Sequence, residues 1–247
     1  MAERRIICGF SGGVTSAWVA GWALRNYPRD EVILLWHDTK AEHEDTYRFL
    51  REMANVLDLP IIERSDGRSL DELFEDEGAM ASSRMGFCSR ILKAEQGDKF
   101  IQELRDSGVS EIVRLYGFSS IEWQRIQRFK MYAERGKFEV RFPVAEEGIT
   151  KQQCADWCLS VGVKPSEMYR WSEHANCVGC VKGGKAYWLK VKENAPEVFE
   201  HRKEQEQHFG HQMFHGYVSL ADLERTGIKR AVRQREAIDI GPCECGS

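Results

Sequence analysis

The sequence predicts an α/β fold built on a parallel five-stranded sheet, with a helical C-terminal extension that carries a cysteine motif. Short, almost continuous apolar runs, typical of strands covered on both faces, alternate with segments whose apolar residues recur at helical spacing. Such alternation favours a parallel sheet with helices packed against it. Beyond residue 150 the strand pattern stops, and helical spacing continues.

Each element follows from a local pattern. Apolar runs predict strands at residues 6–8, 31–38, 59–64, 111–117 and 137–144. Helical spacing predicts helices at residues 18–23, 42–59, 70–74, 88–107, 151–161 and 186–208. Open α/β sheets bind ligands at the C-terminal ends of their strands, so we expect the functional residues just after these runs.

The composition limits the function classes. With 247 residues, 42% of them hydrophobic, the chain can bury a core without disulfides, and its net charge of −4 neither requires nor excludes a nucleic-acid partner. No apolar run reaches the roughly 20 residues of a membrane helix. The eight cysteines are too sparse for a disulfide scaffold. We therefore expect a cytoplasmic protein without a membrane partner, whose cysteines serve metal binding, catalysis or packing; the oligomeric state stays open.

A glycine-rich turn follows the first strand. In SGGVTS, residues 11–16, two glycines lie between serines at the predicted start of a helix. Glycine lets the backbone approach a ligand, and the first N–H groups of a helix have no internal partner, so the turn is suited to bind a phosphate. It lacks the Gly-Lys-Ser ending of a Walker loop, and a purely structural turn is the alternative.

Several segments in order give the sequence a resemblance to a known family. SGGVTS in the first strand-to-helix unit and DTKAEHEDTYRFL after the second strand resemble the PP-loop family of adenine-nucleotide enzymes, in particular the branch with phosphoadenosine phosphosulfate (PAPS) reductases. FCSRILKAEQGDKF, GFSSIEWQRIQ, RFPVAEEGITKQQCADW and CVGCVKGG follow in the family's order. The resemblance implies a doubly wound, Rossmann-like sheet with a nucleotide across the strand ends. It also implies a PP-loop nucleotide-binding domain at residues 1–145 and a helical region at residues 146–247.

The resemblance assigns residues to the nucleotide site. The residues expected to hold the phosphates or lie beside the nucleotide are Ser11, Gly12, Gly13, Thr15, Ser16, Asp38, Thr39, Gly117 and Glu122. Arg125 ends the family's Gly-x-x-x-x-Glu-x-x-Arg segment and would be catalytic, because a guanidinium can neutralise phosphate or sulfate with two hydrogen bonds. Thr15 stands where many members have an acidic residue, which affects how Mg²⁺ would be bound. The alternatives are a helix cap for Asp38 and a solvated helix pair for Glu122 and Arg125.

Three cysteines are candidate metal ligands. Cys177 and Cys180 form a Cys-x-x-Cys sequence flanked by glycines, a spacing shared by metal sites, clusters and redox dithiols. Cys88, at the start of a predicted helix, falls where cluster-binding members of the family place a ligand. The resemblance therefore implies a 4Fe-4S cluster with one open iron, and zinc with one open position is the alternative.

The remaining cysteines fall into two groups. Cys154 and Cys158 share one face of a predicted helix and Cys8 lies in the first strand, so we expect all three to pack in the core. Cys245 lies in a Glu-Cys-Gly triplet that resembles the catalytic-cysteine element of sulfonucleotide reductases. For Cys243 and Cys245, a nucleophile, a fourth cluster ligand and no special role all stay open.

These features predict a PAPS reductase-like PP-loop enzyme that binds ATP or a related adenine nucleotide and performs ATP-dependent sulfur transfer. The alternatives are a sulfonucleotide reductase that releases sulfite, with Cys245 as the nucleophile, and a nucleotide-binding module without turnover. The sulfur acceptor stays open. Basic clusters at residues 125–130 and 229–235 offer a surface for a nucleic-acid acceptor, although a solvated helix face is the alternative. A sulfur- or electron-donor protein is a further expected partner.

Overall fold

The computed structural model describes residues 3–83, 85–214, 218–228 and 238–240. Its five-stranded sheet is parallel throughout and has the order β3-β2-β1-β4-β5. The strands are β1 (Glu3–Gly9), β2 (Val32–His37), β3 (Ile61–Arg64), β4 (Val109–Leu115) and β5 (Glu139–Arg141). Because the strand order reverses at β1, the carboxyl ends of β1 and β4 flank the crevice where open sheets bind ligands.

Helices cover both faces of the sheet. They are α1 (Val14–Asn26), α2 (Glu44–Leu57), α3 (Leu70–Asp76), α4 (Phe87–Ser89), α5 (Glu95–Asp106), α6 (Trp123–Gly136), α7 (Pro143–Glu146), α8 (Lys151–Ser160), α9 (Lys185–Asn194), α10 (Pro196–His208) and α11 (Leu220–Thr226). A π-helical turn, Arg90–Ala94, joins α4 to α5, and 3₁₀ turns lie at Arg29–Glu31, Ser120–Glu122 and Glu167–Arg170. The predicted α/β class and the five parallel strands are confirmed.

Three apolar clusters hold these layers together. The largest lies between one sheet face and helices α1, α2 and α8, and it contains Cys8, Cys154 and Cys158 at 0% exposure, which confirms their predicted burial. Gly21 lets α8 pack closely on α1, since a Cβ there would lie 2.4 Å from the ring of Trp157. The second cluster packs α5 on the opposite sheet face. The third joins α3 to α9, α10 and α11.

Two helices differ from the sequence expectation. The single helix predicted at residues 186–208 is two helices, because Pro196 cannot donate the hydrogen bond that would continue α9 and instead begins α10. The helix predicted at residues 88–107 contains the π-helical turn. The division at residue 145 stays a prediction. Among the described helices, none is both long and apolar enough to cross a membrane.

Candidate functional site

The glycine-rich turn leads directly from β1 into α1. Gly12 has a φ of 76°, and a Cβ there would lie 2.3 Å from Cγ2 of Thr46, so the position requires glycine for both backbone and space. Gly13 precedes the first residue of α1 and has no side chain to cap it. The amide groups of this turn therefore lie at the carboxyl edge of the sheet, at the positive end of the α1 dipole.

Two hydroxyl groups hold the turn. The buried Ser16 hydroxyl donates to the carbonyl of Gly13 (2.7 Å) and accepts from the amide of Ser11 (3.2 Å). The Tyr169 hydroxyl accepts from the amide of Val14 (3.1 Å). Burial raises the pKa of Tyr169, so its hydroxyl keeps a hydrogen that it can donate to an oxyanion. No pattern in the sequence marks Tyr169, which lies 155 positions from its partner.

The segment after β4 touches the start of α1. A Cβ at Gly117 would lie 2.8 Å from the carbonyl carbon of Thr15, so glycine allows this approach. Glu122 accepts from the amide of Ser119 (3.0 Å) and so completes a capping box. The guanidinium of Arg125 donates to Glu122 (3.1 Å) and lies 4.0 Å from the ring centre of Phe118. Arg125 is thus half-exposed at the rim of the crevice between β1 and β4. It forms the ion pair with Glu122 that the sequence analysis gave as the alternative to a catalytic role.

The end of β2 connects the sheet edge to the cysteine motif. The Asp38 carboxylate accepts from the amide of Lys40 (2.8 Å) and from the hydroxyl of Tyr47 (3.0 Å), so it shapes the turn. The next side chain, Thr39, is 1% exposed, and its hydroxyl lies 3.1 Å from the thiol sulfur of Cys177. The same hydroxyl donates to the carboxylate of Glu42 (3.2 Å). A residue predicted beside the nucleotide therefore contacts a residue predicted to bind metal.

The Cys-x-x-Cys loop is fixed by main-chain contacts. The amide of Val178 donates to the carbonyl of Ala41 in the loop after β2 (2.7 Å). The Tyr187 hydroxyl donates to the carbonyl of Cys177 (2.9 Å) and accepts from the amide of Gly179 (3.0 Å). These bonds hold the loop against the sheet edge.

Cys88 approaches the same loop from α4. Lys182, two residues after Cys180, donates to the hydroxyl of Ser89 (2.7 Å). Gly86 lies against the Lys182 stem, where a Cβ would be 2.5 Å from Cε. The two cysteine segments, far apart in sequence, are therefore adjacent in the fold.

Burial and neighbouring charges set the pKa values of the thiols. Burial raises the pKa of Cys177 to about 12, to which Glu42 and Cys180 contribute. Burial and the nearby Cys180 also raise the pKa of Cys88. For Lys93, burial opposes the charge, but Glu42 and the two thiols of the Cys-x-x-Cys motif outweigh it and raise the pKa. One ammonium group and one carboxylate thus lie among the cysteine side chains, and the sequence analysis missed both.

The donor set can be compared with a metal or cluster. Within the described parts of the chain, no three His, Cys, Asp or Glu side chains are arranged to hold a metal ion. In kind, the donors fit a thiophilic group: three cysteines come from two neighbouring segments, and Cys177 lies beside Glu42, whose Oε2 is buried without a hydrogen-bond partner in the described residues. Binding of a metal ion or cluster by these cysteines would release the protons of their thiols. Cys243, Cys245 and the basic cluster at residues 229–235 lie outside the described residues.

Comparisons with known proteins agree with the fold. The family model of the phosphoadenosine phosphosulfate reductase domain matches residues 5–185. An uncharacterized protein of Methanocaldococcus jannaschii is 26% identical over 197 residues, which cover 77% of this chain and 44% of that protein, so the chain spans less than half of that relative's length.

Two solved structures are similar at low identity. A phosphoadenylyl-sulfate (PAPS) reductase from Candida auris, in a phosphate complex, shares 20% identity at a TM-score of 0.35 over 48% of this chain and 55% of that chain. An NH₃-dependent NAD synthetase from Campylobacter jejuni, in complex with nitrate, shares 14% identity at a TM-score of 0.43 over 85% of this chain and 87% of that chain.

Proposed function

The chain belongs to the phosphoadenosine phosphosulfate reductase domain family of the PP-loop superfamily, and from this premise we propose that it is an enzyme of sulfur chemistry. It binds ATP or a related adenine nucleotide at the carboxyl edge of the sheet and transfers sulfur to an acceptor. The observation that carries the proposal is the contact between Thr39, at the end of β2, and the thiol of Cys177 (3.1 Å). A nucleotide bound at this edge would lie beside the cysteines.

The turn at residues 11–13 would bind the phosphates. Its amides and the free hydrogen of Tyr169 are donors that are already positioned, so little reorganisation opposes the developing phosphoryl charge. In the proposed reaction an acceptor oxygen attacks the α-phosphorus, the bond between that phosphorus and the bridging oxygen breaks, and pyrophosphate leaves. Sulfide-level sulfur would then form a bond to the activated carbon of the acceptor, the bond from that carbon to the adenylated oxygen would break, and AMP would leave with that oxygen. Arg125, at the rim, would neutralise charge on the phosphates by exchanging its contact with Glu122 for the nucleotide.

Cys88, Cys177 and Cys180 would hold a 4Fe-4S cluster, with zinc as the alternative. When bound, such a cluster would supply a labile sulfide and an open iron site beside the activated acceptor. The chain's own residues have separate tasks there. The carboxylate of Glu42 accepts a hydrogen bond from the Cys177 thiol (3.7 Å) and can receive the thiol proton when a metal or cluster binds. Lys93 lies 3.5 Å from Glu42 and favours the thiolate form of the cysteines through its charge.

Anaerobic purification with iron and acid-labile sulfide analysis tests the cluster. We expect about four irons per chain, and their loss in Cys88→Ser but not in Cys154→Ser, whose thiol lies in the core. Stoichiometric zinc would contradict the cluster, and equal iron loss in both variants would contradict the ligand assignment.

Nucleotide chemistry is tested separately. We expect acceptor-dependent release of pyrophosphate from ATP, weakened in Arg125→Gln and retained in Arg135→Gln, which removes an equal charge from the same helix outside the basic cluster at residues 125–130. Sulfite release from a sulfated adenylate, abolished in Cys245→Ser, would favour the reductase instead. Tight ATP binding without turnover by the cluster-loaded protein would favour a binding module.

A further inference from the structure

A second group of polar side chains lies on the α5 face of the same sheet edge. His37 ends β2 and pairs in register with Arg64, which ends β3. The ring Nε2 of His37 and the Nε of Arg64 are both buried, and neither has a hydrogen-bond partner in the described residues. Arg114, on β4, is 6% exposed and forms no hydrogen bond or ion pair with any residue that the structure describes. Three strands thus present nitrogen atoms without acceptors.

The nitrogen atoms of His37 and Arg114 meet under α5. A Cβ at Gly97 would lie 3.1 Å from Nη2 of Arg114 and 3.3 Å from Nε2 of His37, so both groups lie against one glycine. The guanidinium of Arg114 lies between two aromatic rings, 5.3 Å from the centre of Tyr116 and 5.4 Å from that of Phe138. Both rings contact the guanidinium by cation–π interaction.

The charged side chains that act on His37 are positive, and the carboxylate of Asp98 lies near Arg114. The pKa of His37 is lowered to about 4 by burial, with Arg114, Lys93 and Arg64 contributing in the same direction. The nearby carboxylates already have partners: Glu103 accepts from Arg64, Glu42 accepts from Lys93, and Asp98 accepts from Tyr132. A buried guanidinium without a hydrogen-bonded counter-charge is costly, so an anion at this point would be stabilised.

We propose that His37, Arg64 and Arg114 bind a tetrahedral oxyanion of the phosphate or sulfate class. His37 Nε2 and Arg64 Nε are buried without a partner in the described residues, and Arg114 lies against the same glycine as His37. With the His37 hydrogen on Nε2, an oxyanion with several acceptor atoms can accept from all three side chains, which come from different strands. The site is distinct from the main-chain turn at Gly12 and Gly13, which lies at the N-terminus of α1. It does not depend on the proposed sulfur transfer, since it requires only an anionic ligand.

The test uses the full chain and inorganic sulfate as the probe. The ring nitrogens of His37 are observed by ¹⁵N NMR while sulfate is added, and the dissociation constant is measured by calorimetry. We expect the Nε2 resonance of His37 to shift with saturation, and Arg114→Gln to weaken sulfate binding about ten- to hundredfold, as expected for loss of a charge-assisted hydrogen bond. Arg90→Gln removes an equal charge from an exposed side chain nearby and should change the affinity less than twofold.

A second arm identifies the source of the oxyanion. If sulfate binds with unchanged affinity to protein saturated with AMP, the site takes a separate anion. If AMP itself shifts His37 and excludes sulfate, and Arg114→Gln weakens AMP, the oxyanion is the nucleotide's own phosphate. The site is refuted if neither sulfate nor AMP perturbs His37 in the wild-type protein, a result that does not depend on how a variant folds. Equal weakening by Arg114→Gln and Arg90→Gln would also refute it.

Discussion

Substitution of Gly12 by alanine separates two reasons for a glycine in the nucleotide-binding turn. The φ of 76° is strained for any L side chain, at about 1–2 kcal/mol. The new Cβ would also lie 2.3 Å from Cγ2 of Thr46, and relief of such an overlap in a packed core costs about 1–3 kcal/mol. Together these effects predict a loss of roughly 2–5 kcal/mol in the free energy of unfolding.

Thr46→Ser isolates the steric part. It removes the methyl group that the new Cβ would meet and keeps the hydroxyl that lies 3.1 Å from the hydroxyl of Ser166. By itself, Thr46→Ser should lower the free energy of unfolding by about 1 kcal/mol, because one buried methyl group is lost. In the double variant the alanine methyl occupies the vacated space, so the loss should fall to about 1–2 kcal/mol, a coupling of about 2–4 kcal/mol.

Urea denaturation at 25 °C measures all three variants. Gly148→Ala is the control for the backbone alone, because Gly148 has a φ of 66° and an added Cβ there would meet nothing within 4 Å. ATP affinity should return to within about threefold of wild type in the double variant, since the new methyl points at Thr46 rather than into the crevice. Additive losses, or a Gly12→Ala variant as stable as Gly148→Ala, would refute this reasoning.

Three further outcomes are expected. Tyr169→Phe leaves the amide of Val14 without its partner and should lower the unfolding free energy by about 1–3 kcal/mol, with weaker ATP binding; an unchanged urea midpoint would contradict the contact. Cys154→Ala and Cys158→Ala should each lower stability while leaving the iron content unchanged, because both thiols are buried among apolar residues; iron loss in either variant would make that residue a ligand. His37, with its pKa lowered to about 4, should contribute stability that is present above pH 6.5 and lost as the pH falls toward 4, because the unfolded chain takes up the proton first. The contribution lost between pH 7 and 5 is about 2 kcal/mol, so His37→Asn should flatten the acid limb of the urea midpoints.

The sheet was predictable because its information is local. Apolar runs mark buried parallel strands wherever they occur, and the two glycines after β1 mark the turn without knowledge of any distant residue. Pro196 is a local sign that one helix ends before it, because proline cannot continue a helix. The helical spacing on both sides of Pro196 nevertheless led to the prediction of a single helix. Burial of Cys154 and Cys158 followed from their spacing on one helix face.

The contacts that shape the candidate site were not predictable in this way. Tyr169 meets the amide of Val14 across 155 positions, and no local pattern marks it. Glu42 lies in a charged stretch that predicts an exposed side chain, yet that side chain is 2% exposed. His37 and Arg114 look like strand-end and mid-strand polar residues until the register brings them under the same glycine of α5. Each depends on how separate elements pack.

The positive charge of Lys93 offsets part of the effect that burial has on the pKa values of the neighbouring thiols. Burial alone favours neutral thiols, and neutral thiols are poor ligands, so an apolar pocket around Cys177 opposes metal binding. Lys93 acts in the opposite direction, because its positive charge lowers the pKa of both Cys88 and Cys177. Glu42 raises the pKa of Cys177 while the metal is absent, and it offers a buried carboxylate oxygen when the thiol proton leaves. In the proposed site, such a balance would favour thiols that stay protonated until a thiophilic group binds.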